Sequence, residues 1–337
     1  MQVRMKDIAD QLGVSVVTVS KVLRNHTDIG PATRRRVLRK VKELNYQPNL
    51  AARSLVTRKS YTIGMVLPHL RHTYYQEAYH SIAERTSPLG YTVLIAISEE
   101  DQAAEEKEVR QMVARQVDGL ILASVRAPGD TTLLRELKER KVPCVLIDRK
   151  FRGMDVPFVG TDDRAMGAMA TEHLIENGCT RIAHLRGPEV STALLRLKGY
   201  QDALKRHNLP ARSTYVEGGR GDDQTGYEAM KKLLKARPRP DGVFCYSDPV
   251  AAGAMKAVLE AGLSVPTDVA ILGCGNMHYC DLFQVPLSTI DQNSSAVGAK
   301  AAELLLGLID SKRPAGPRSV LLSPTIVARQ SSKHRPA

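Results

Sequence analysis

Apolar residues in the first sixty positions of the chain recur every three or four residues, the spacing of one helix face. They form three sets: Ile8, Ala9 and Leu12; Val19, Val22 and Leu23; Val37, Val41 and Leu44. This pattern predicts three short helices around one small core. The first covers about 6–11, and the second follows Ser15 and runs to about Arg24. The third starts near Pro31, where the missing N–H of proline does no harm.

The first two of these helices are separated by a turn of only a few residues. Gly13 is free to take a positive φ angle there, and Ser15 can cap the helix that follows. Ala9 is small enough to let the two helices cross closely. Helix, short glycine turn and helix together make the helix-turn-helix arrangement, whose second helix enters the major groove of DNA.

The second helix offers a distinct outward face. Val16, Val17 and Lys21 point away from the core residues Val19 and Val22. The two valines could instead belong to the core, but the opposite face already supplies core valines, so exposure to DNA is favoured. The hydroxyls of this helix suit phosphate oxygens and belong to Thr18 and Ser20.

The rest of the chain alternates strand-like apolar runs with amphipathic stretches. The first set of predicted strands is Thr62–Leu67, Thr92–Ile97, Gly119–Leu122, Cys144–Ile147 and Phe158–Gly160. The second set is Ile182–Leu185, Val243–Tyr246, Ala270–Leu272 and Val320–Leu322. Predicted helices include 75–88, 103–115, 131–140, 164–177, 249–261 and 294–310. The alternation indicates parallel sheets covered by helices on both faces. The strands are too many for one small sheet, so we expect two Rossmann-like lobes with a ligand cleft between them.

Charge is distributed unevenly along the 337 residues. Residues 1–60 hold 13 Lys+Arg and 4 Asp+Glu, a balance of +9, whereas the remainder holds 35 and 32, a balance of +3. A basic segment on a nearly neutral body is typical of contact with nucleic acid or a membrane surface. A solvated tail is the alternative, but a tail would lack the helical periodicity of this segment.

Several classes of protein are excluded by composition. Hydrophobic residues make up 43% and charged residues 25%, which are ordinary values for a globular protein. No apolar run is long enough to span a membrane, and the N-terminal residues lack the apolar core of a signal peptide, so a cytoplasmic protein is expected. The five cysteines have no C-x-x-C spacing and are predicted to be small buried side chains.

Motifs for catalysis, cofactors or metals are not found in the sequence. Gly273-Cys274-Gly275 begins a dinucleotide fingerprint, but His278 stands at its third glycine, and Gly221–Gly226 is followed by Tyr227 rather than by Lys-Ser/Thr. The histidines show no ligand spacing. We therefore expect no catalytic residues, no cofactor and no metal.

The segment after the third predicted helix reads YQPNLAARSL. Pro48 ends that helix and Asn49 can cap a new short one. Such a helix is too short to be stable alone in water, so it needs DNA or a partner copy to order it. Leu55, flanked by Arg53 and Arg58, would then suit insertion into a minor groove.

These segments resemble the lactose-repressor family of bacterial transcription regulators. The resemblance rests on KDIADQLGVSVVTVSKVLRN, RRRVLRKVKELNYQPNLAARSL and IGMVLP, and continues through VPCVLIDR, VGTDDRAMGAMATEHLIENG, GVFCYSDPVAAGAMKAV, VPTDVAILGCGN and PLSTIDQNSSAVGAKAAELLL. It covers about 4–328. It implies a small all-α helix-turn-helix head and an α/β body of periplasmic-binding-protein type. It also implies a repressor that binds a palindromic operator in double-stranded DNA as a homodimer, under the control of a small effector.

The resemblance also implies a domain organisation. Residues 1–47 form the DNA-binding domain, 48–60 a hinge helix and linker, and 61–337 the effector-binding and dimerisation body. The chain is expected to cross between lobes near 161–163, 289–292 and 319–322, so that lobe 1 takes about 61–161 and 291–320 and lobe 2 about 162–290 and 321–330. The residues expected to bind DNA are Lys6, Ser15, Val16, Val17, Thr18, Ser20, Lys21, Asn25, Asn49, Ala52, Arg53 and Leu55.

The effector-binding residues are expected at strand ends and lobe crossings: Tyr74, Tyr75, Asp148, Thr192, Arg196, Ser247, Asp248 and Gln292. The tyrosines could stack on a ring or cover the lobe edge. Asp148 could instead pair with Arg149, and Arg196 could form an ion pair rather than clamp the effector. Thr192 and Arg196 share one helix face if this segment is helical. Asp248 is expected more as a helix cap than as a ligand contact.

One position departs from the family pattern. Relatives often carry an aspartate that binds sugar hydroxyls where this chain has Gly275. The effector is accordingly expected among sugars, sugar acids and sugar phosphates, with Arg186 and Arg220 compatible with an anion. An alternative function, a sugar-binding or sugar-metabolising protein with an incidental basic head, would need a signal peptide or catalytic residues that the sequence does not show.

Overall fold

A computed structural model describes residues 3–23, 26–47, 59–71, 73–127, 129–151, 153–310 and 319–333. The chain divides into two compact units, Met1–Ser60 and Tyr61–Ala337, called here the head and the body. The predicted hinge helix, together with Asn25, Asn49, Ala52, Arg53 and Leu55, lies outside the described residues.

The head contains three helices: α1 (Met5–Leu12), α2 (Val16–Leu23) and α3 (Pro31–Glu43). Its buried core consists of Ile8, Ala9, Val19, Val22, Val37 and Tyr46. Five of these six side chains belong to the predicted sets or to their helical spacing, because periodic apolar residues can bury a common face. Tyr46, which follows α3, completes the core.

Local interactions hold the turn between α1 and α2. Gly13 has a φ of 64° and donates its backbone N–H to the carbonyls of Ala9 and Asp10. The hydroxyl of Ser15 accepts the backbone N–H of Thr18 at 3.0 Å, which caps α2. Pro31 occupies the first turn of α3. The predicted roles of Gly13, Ser15 and Pro31 in the local structure are confirmed.

The body contains two six-stranded sheets. In chain order its strands are β1 (Thr62–Leu67), β2 (Thr92–Ile97), β3 (Gly119–Leu122), β4 (Cys144–Ile147), β5 (Phe158–Thr161), β6 (Ile182–Arg186), β7 (Val216–Gly218), β8 (Gly242–Cys245), β9 (Ala270–Cys274), β10 (Ser288–Asp291), β11 (Ser319–Leu322) and β12 (Thr325–Val327). Its helices are α4 (Thr73–Thr86), α5 (Gln102–Ala114), α6 (Thr132–Glu139), α7 (Asp163–Glu176), α8 (Ser191–Arg206), α9 (Asp223–Leu234), α10 (Asp248–Glu260) and α11 (Ser294–Asp310).

The first sheet has the order β11-β5-β4-β3-β1-β2 and is parallel throughout. The second has the order β12-β10-β9-β8-β6-β7, in which β12 alone is antiparallel to its neighbour. The central strands are buried along their whole length, as expected of parallel strands covered on both faces. The predicted two-lobed α/β body is confirmed.

One predicted strand belongs to the other lobe. Val320–Leu322 was expected in lobe 2, but β11 pairs with β5 at the edge of the first sheet. The helix before it, α11, packs on β3, β4 and β5, so the chain has entered the first lobe before β11 begins. The lobe crossings therefore lie at 162, at 292–293 and at 323–324.

Strands β7, β10 and β12 were not predicted. The strand β10 contains Ser288 and Thr289, both fully buried, so its polar residues do not form an apolar run. Burial of these hydroxyls depends on partners from distant segments: Thr289 donates to Asp248, and Ser288 bonds Ser332. Such pairings cannot be read from local periodicity.

Close helix packing fixes one part of the second lobe. A Cβ atom at Gly167 of α7 would come 2.0 Å from the carbonyl oxygen of Arg196, and one at Gly199 of α8 would come 2.1 Å from that of Arg164. Only glycine permits this approach, so the two helices touch backbone to backbone. The contact holds the start of α7 beside Arg196.

Candidate functional site

The outward face of α2 is exposed in the head. Val16 and Val17 are 40% and 61% exposed, whereas Val19 and Val22 are completely buried. The prediction that the first two valines lie outside the core is confirmed, and their assignment to the core is wrong. Large exposed apolar side chains on a helix of a basic unit suit contact with thymine methyl groups.

The other predicted DNA-binding residues of α1 and α2 take different positions. Lys6 is exposed, while Thr18 and Ser20 are half-buried. The hydroxyl of Ser15 is used twice within the head, as the cap of α2 and in a 2.9 Å hydrogen bond with the hydroxyl of Thr18. The ammonium group of Lys21 forms an ion pair with Asp28, a partner that sequence reasoning missed. DNA contact by these residues stays a prediction.

In the body, a cleft of about 600 Å³ opens at the carboxyl ends of the strands. The first lobe lines it with His69, Arg71, Thr73, Tyr74, Tyr75, Glu99, Glu100, Val125, Asp148 and Arg149. The second lobe and the crossing contribute Pro188, Glu189, Val190, Arg196, Arg220, Gly221, Asp222, Tyr246, Ser247, Pro249, Cys274, Gly275, Met277 and Gln292. Both lobes therefore share the site, as expected for this fold.

Arg196 is the centre of a buried polar network in the cleft. Its Nε donates to Asp163 Oδ1 at 2.9 Å, one Nη donates to the Tyr246 carbonyl at 2.6 Å, and the other donates to Gln292 Oε1 at 2.8 Å. The guanidinium also lies 4.6 Å from the ring centroid of Tyr246. Three of its five N–H groups are thus held by the protein, which fixes the orientation of the remaining two.

Asp163 supplies the counter-charge to Arg196. Burial raises the pKa of its carboxyl to about 7, against the opposing attraction of the Arg196 guanidinium. Both side chains are nearly inaccessible to water. Arg196 therefore both forms an ion pair and lines the cleft, so the two interpretations of this residue coexist.

A second network lies on the wall of the first lobe. The hydroxyl of Tyr75 donates to Asp148 Oδ2 at 2.8 Å, and Arg149 holds both carboxylate oxygens of Glu100 at 2.9 and 2.7 Å. Asp148 has a φ of 64°, a conformation that is strained for a residue other than glycine. Arg149 Nε also lies 3.7 Å from Asp148 Oδ2, so the expected alternative, a pairing of Asp148 with Arg149, is present. Because both of these contacts involve Oδ2, the other carboxylate oxygen of Asp148 keeps capacity to accept hydrogen bonds from a ligand.

The remaining predicted effector residues divide into two groups. Tyr74, Ser247 and Gln292 line the cleft, with Tyr74 edge-to-face against Tyr75 at 5.2 Å between ring centroids. Thr192 does not line it, because its fully buried hydroxyl bonds the Tyr246 hydroxyl at 3.0 Å. The predicted helical placement of Thr192 and Arg196 on α8 is confirmed.

Asp248 does not cap α10, which was its expected role. Ser247 caps α10, since its hydroxyl accepts the Val250 N–H at 3.5 Å, while Asp248 is fully buried behind the cleft. Its carboxylate accepts from the Met277 N–H at 2.9 Å and from the Thr289 hydroxyl at 2.6 Å. Asp248 therefore fastens the loop between β9 and β10, which a helix-cap pattern could not reveal.

Gly275 lies on the floor of the cleft with a φ of 138°. A Cβ atom at this position would come 3.1 Å from Asp248 Oδ2. An aspartate here would therefore combine backbone strain with the approach of a second carboxylate to a buried one. Asp248 thus packs beneath the position at which relatives often carry an aspartate and this chain has glycine.

We expect Gly275→Asp to lower the free energy of unfolding by about 1–3 kcal/mol from backbone strain alone, with further loss from the Asp248 carboxylate. Denaturant unfolding measures this loss. Gly219→Asp is a matched control, because Gly219 also has a large positive φ, 147°, but nothing lies within 4 Å of its Cβ position. Equal losses in the two variants would show that Asp248 has no part in excluding a side chain at Gly275.

Sequence reasoning missed several residues of the site. They are His69, Thr73, Glu100, Arg149, Asp163 and Tyr246. The only signal in the sequence was position, since Arg149 follows β4, Asp163 follows β5 and Tyr246 follows β8. Burial of the Thr73 hydroxyl without a hydrogen-bond partner marks it as a further polar group available to a ligand.

The described residues show no cluster of side chains that could hold a metal ion. All five cysteines are buried and free, so their prediction as small buried side chains is confirmed. Within the same parts of the chain, no helix is both long and apolar enough to cross a membrane.

The chain combines a helix-turn-helix head with a two-lobed body that contains a polar cleft. This combination is typical of a DNA-binding regulator that senses a small molecule. A family model described as "Bacterial regulatory proteins, lacI family" matches residues 4–49, and one described as "Periplasmic binding protein-like domain" matches residues 171–332. The "Ribose operon repressor" of Halalkalibacterium halodurans is 31% identical over 98% of this chain and 97% of its own length. The "Catabolite control protein A" of Priestia megaterium is 30% identical over 99% and 100%. The chain belongs to the lacI family of bacterial regulatory proteins, and is a DNA-binding transcriptional regulator.

Solved structures of relatives agree with this assignment. The lac repressor dimer bound to operator and the anti-inducer ONPF has a TM-score of 0.87 and 26% identity, covering 98% of this chain and 99% of that one. The transcriptional regulator CelR in complex with cellobiose has a TM-score of 0.74 and 28% identity, covering 98% and 100%. The resemblance to the lactose-repressor family predicted from the sequence is confirmed.

Proposed function

We propose that this protein is a cytoplasmic repressor that binds an inverted-repeat operator as a homodimer and responds to a neutral polyhydroxylated molecule held between its lobes. The observation that carries the proposal is the buried Arg196 network at the junction of two lobes, in a chain that also bears an exposed reading helix. Repression as the direction of control is supported by relatives whose names describe them as repressors. No enzymatic role is proposed.

The DNA-binding part of the proposal rests on α2. Val16 and Val17 can contact thymine methyl groups, and Lys21 can donate to guanine O6 or N7. One such helix reads only a few base pairs, and two-fold symmetry doubles the site. The lac repressor dimer on its operator supports this geometry for a relative. Insertion of Leu55 into the minor groove rests on the sequence alone.

The charges around the cleft favour a neutral effector over an anion. Three of its arginines are paired with carboxylates: Arg71 with Glu99, Arg149 with Glu100 and Arg196 with Asp163. Arg186, outside the lining, pairs with Glu189, and the fourth lining arginine, Arg220, shares the cleft wall with the Asp222 carboxylate. Because these positive charges are already compensated, a carboxylate or phosphate would enter a site without excess positive charge. Hydroxyl groups can use Asp148, Thr73 and the two remaining Arg196 donors without introducing a charge.

Selection of randomised duplexes by the full chain tests the DNA-binding part of the proposal. The wild type should enrich an inverted repeat. Lys21→Ala should lose preference at one base pair in each half-site, by about 1–3 kcal/mol, because a bidentate contact to guanine is removed. An unchanged preference in the variant would show that Lys21 touches only phosphate, and a single asymmetric half-site would contradict the dimer.

The effector part of the proposal is tested on the selected operator by fluorescence anisotropy. Neutral mono- and disaccharides, sugar acids and sugar phosphates are added in parallel at fixed ionic strength. A response to a neutral sugar, without a response to the corresponding acid or phosphate, is expected. A response confined to an anion would contradict the charge argument.

A further inference from the structure

An exposed ion pair joins the reading helix to the loop that follows it. Lys21 lies one turn after Val17 on α2, and its ammonium group contacts Oδ2 of Asp28 in the segment between α2 and α3. Both side chains are partly open to water, with exposed fractions of 37% and 52%. The residue best placed to donate to a base edge is therefore already paired with a carboxylate before DNA is present.

The loop around Asp28 is tied to both neighbouring helices. The His26 backbone N–H donates to the Lys21 carbonyl at 3.0 Å, and the Arg34 guanidinium of α3 donates to the His26 carbonyl. These contacts limit how far Asp28 can move from α2. The attraction of Lys21 lowers the pKa of the Asp28 carboxyl, so the carboxylate is charged at neutral pH.

A carboxylate beside the reading face is unfavourable near DNA on electrostatic grounds alone. The head carries a balance of +9, which attracts phosphates of any sequence. Asp28 opposes that attraction locally, and its pairing with Lys21 removes one cation from the set available to phosphates. A repulsive contact of this kind can weaken binding to DNA of other sequences more than it weakens binding to the operator.

We propose that Asp28 is a positioning residue for DNA recognition, which holds Lys21 away from phosphates and releases it only to a base edge. This inference rests on the proposed contact between Lys21 and guanine. Its consequence is a higher ratio of specific to non-specific affinity, because Asp28 weakens binding to DNA in general more than binding to the operator.

The chemistry of the two DNA surfaces explains the discrimination. A phosphate offers Lys21 negative oxygens only, and those oxygens repel Asp28. A guanine edge offers O6 and N7 without a full charge, and the N4 amino group of cytosine offers a donor that a carboxylate can accept. The Lys21–Asp28 pair therefore meets complementary groups in the major groove and unfavourable ones along the backbone.

Asp28→Asn tests the inference in the full chain, with the selected operator and a scrambled duplex of the same length. The variant should bind the scrambled duplex about fivefold more tightly at low salt, as expected from the upper range for exposed ion pairs. Operator affinity should change less, so the specificity ratio falls. The log–log salt slope on the scrambled duplex should steepen by about 0.9, because freed Lys21 neutralises one more phosphate.

Three companion variants separate the role of Asp28 from general effects. Asp28→Glu keeps the carboxylate and should retain the wild-type ratio. Asp10→Asn makes the same charge change at another exposed acid of the head and should leave the ratio near that of the wild type. In the Lys21→Ala background, Asp28→Asn should no longer alter the salt slope, because no ammonium group is left to be freed for a phosphate.

Two results overturn the inference. One is an equal change in operator and scrambled-duplex affinity in Asp28→Asn; the other is an equal steepening of the salt slope by Asp28→Asn when Lys21 is alanine. If Lys21→Ala loses base preference and either of these results is found, only the role of Asp28 is rejected, and the guanine contact of Lys21 stands. An unchanged base preference in Lys21→Ala rejects the proposed guanine contact instead.

Discussion

Asp163→Asn is expected to remove a fall of about 4 kcal/mol in the free energy of unfolding that the wild type shows between pH 4 and pH 7. The fall arises because the Asp163 carboxyl has a pKa of about 7 in the folded state and an ordinary value of 3.8, so that its ionisation opposes folding. The substitution preserves side-chain size and removes the titration, while Tyr246 O and Gln292 Oε1 still accept from Arg196. Urea unfolding of the wild type and the variant from pH 4 to pH 7 measures the difference, and parallel pH profiles of the two proteins would contradict it.

Arg196→Ala is the informative partner variant, because it leaves an acid that can bind a proton. An arginine cannot shed its charge inside a protein, whereas Asp163 already has a pKa of about 7 beside Arg196. At pH 5 the Asp163 carboxyl is protonated in the wild type and in the variant alike, so Arg196→Ala should lose only the hydrogen bonds and the ring contact of the guanidinium there. A loss of stability that is as large at pH 5 as at pH 8 would contradict this.

The stability of Arg196→Ala should also depend more steeply on pH than that of the wild type. The carboxyl of Asp163 has an ordinary pKa of 3.8 and a folded-state pKa of about 7. Between these values the folded state holds a proton that the unfolded state has lost, so the unfolding free energy falls as pH rises. Without the guanidinium the folded-state pKa rises further and the decline extends above pH 7. A flat profile from pH 5 to 8 would refute the buried location of Asp163.

Removal of residues 1–60 is expected to abolish operator binding while the body stays folded. The body forms a compact unit with its own cores around both sheets, and the cleft residues all lie within it. The head carries three quarters of the net positive charge and the exposed valines of α2. Without it, neither the electrostatic attraction nor the base contacts remain.

This deletion is assessed by anisotropy on the operator and by calorimetry with the effector identified in the sugar titration. The full chain is the control, and its operator affinity should fall steeply with salt because phosphate contacts release counterions. Residual operator affinity in the truncated chain, or salt-insensitive binding by the full chain, would place the DNA contacts elsewhere.

Much of the fold follows from local sequence. The apolar runs of β1 to β4 have the same limits in the structure as in the prediction. Strands β1, β3 and β4 lie inside the sheet, where burial on both faces requires apolar residues, whereas β2 is a partly buried edge strand. Gly13 and Ser15 fix the turn of the head through their own backbone and side-chain chemistry. Such features require no information from distant residues.

The candidate site was only partly predictable. Arg196, Asp148 and Gln292 were expected in the cleft from strand ends and from the family pattern, and the structure places them there. Asp163 was missed, because its position at the start of α7 also fits an ordinary helix terminus. Thr192 and Asp248 were expected at the effector, but each has its polar group engaged behind the cleft wall.

By itself, the sequence determined most of the helices and strands, that the head is basic and that its second helix exposes two valines. These properties depend on periodicity, turn chemistry and charge, which act over a few neighbouring residues. Tertiary structure alone decided that Arg196 meets Asp163, 33 residues away, and Gln292, 96 residues away. It also placed Asp248 beneath Gly275 and β11 in the first sheet. Partners of buried polar groups are chosen by how distant helices and strands pack, and local sequence carries no record of that packing.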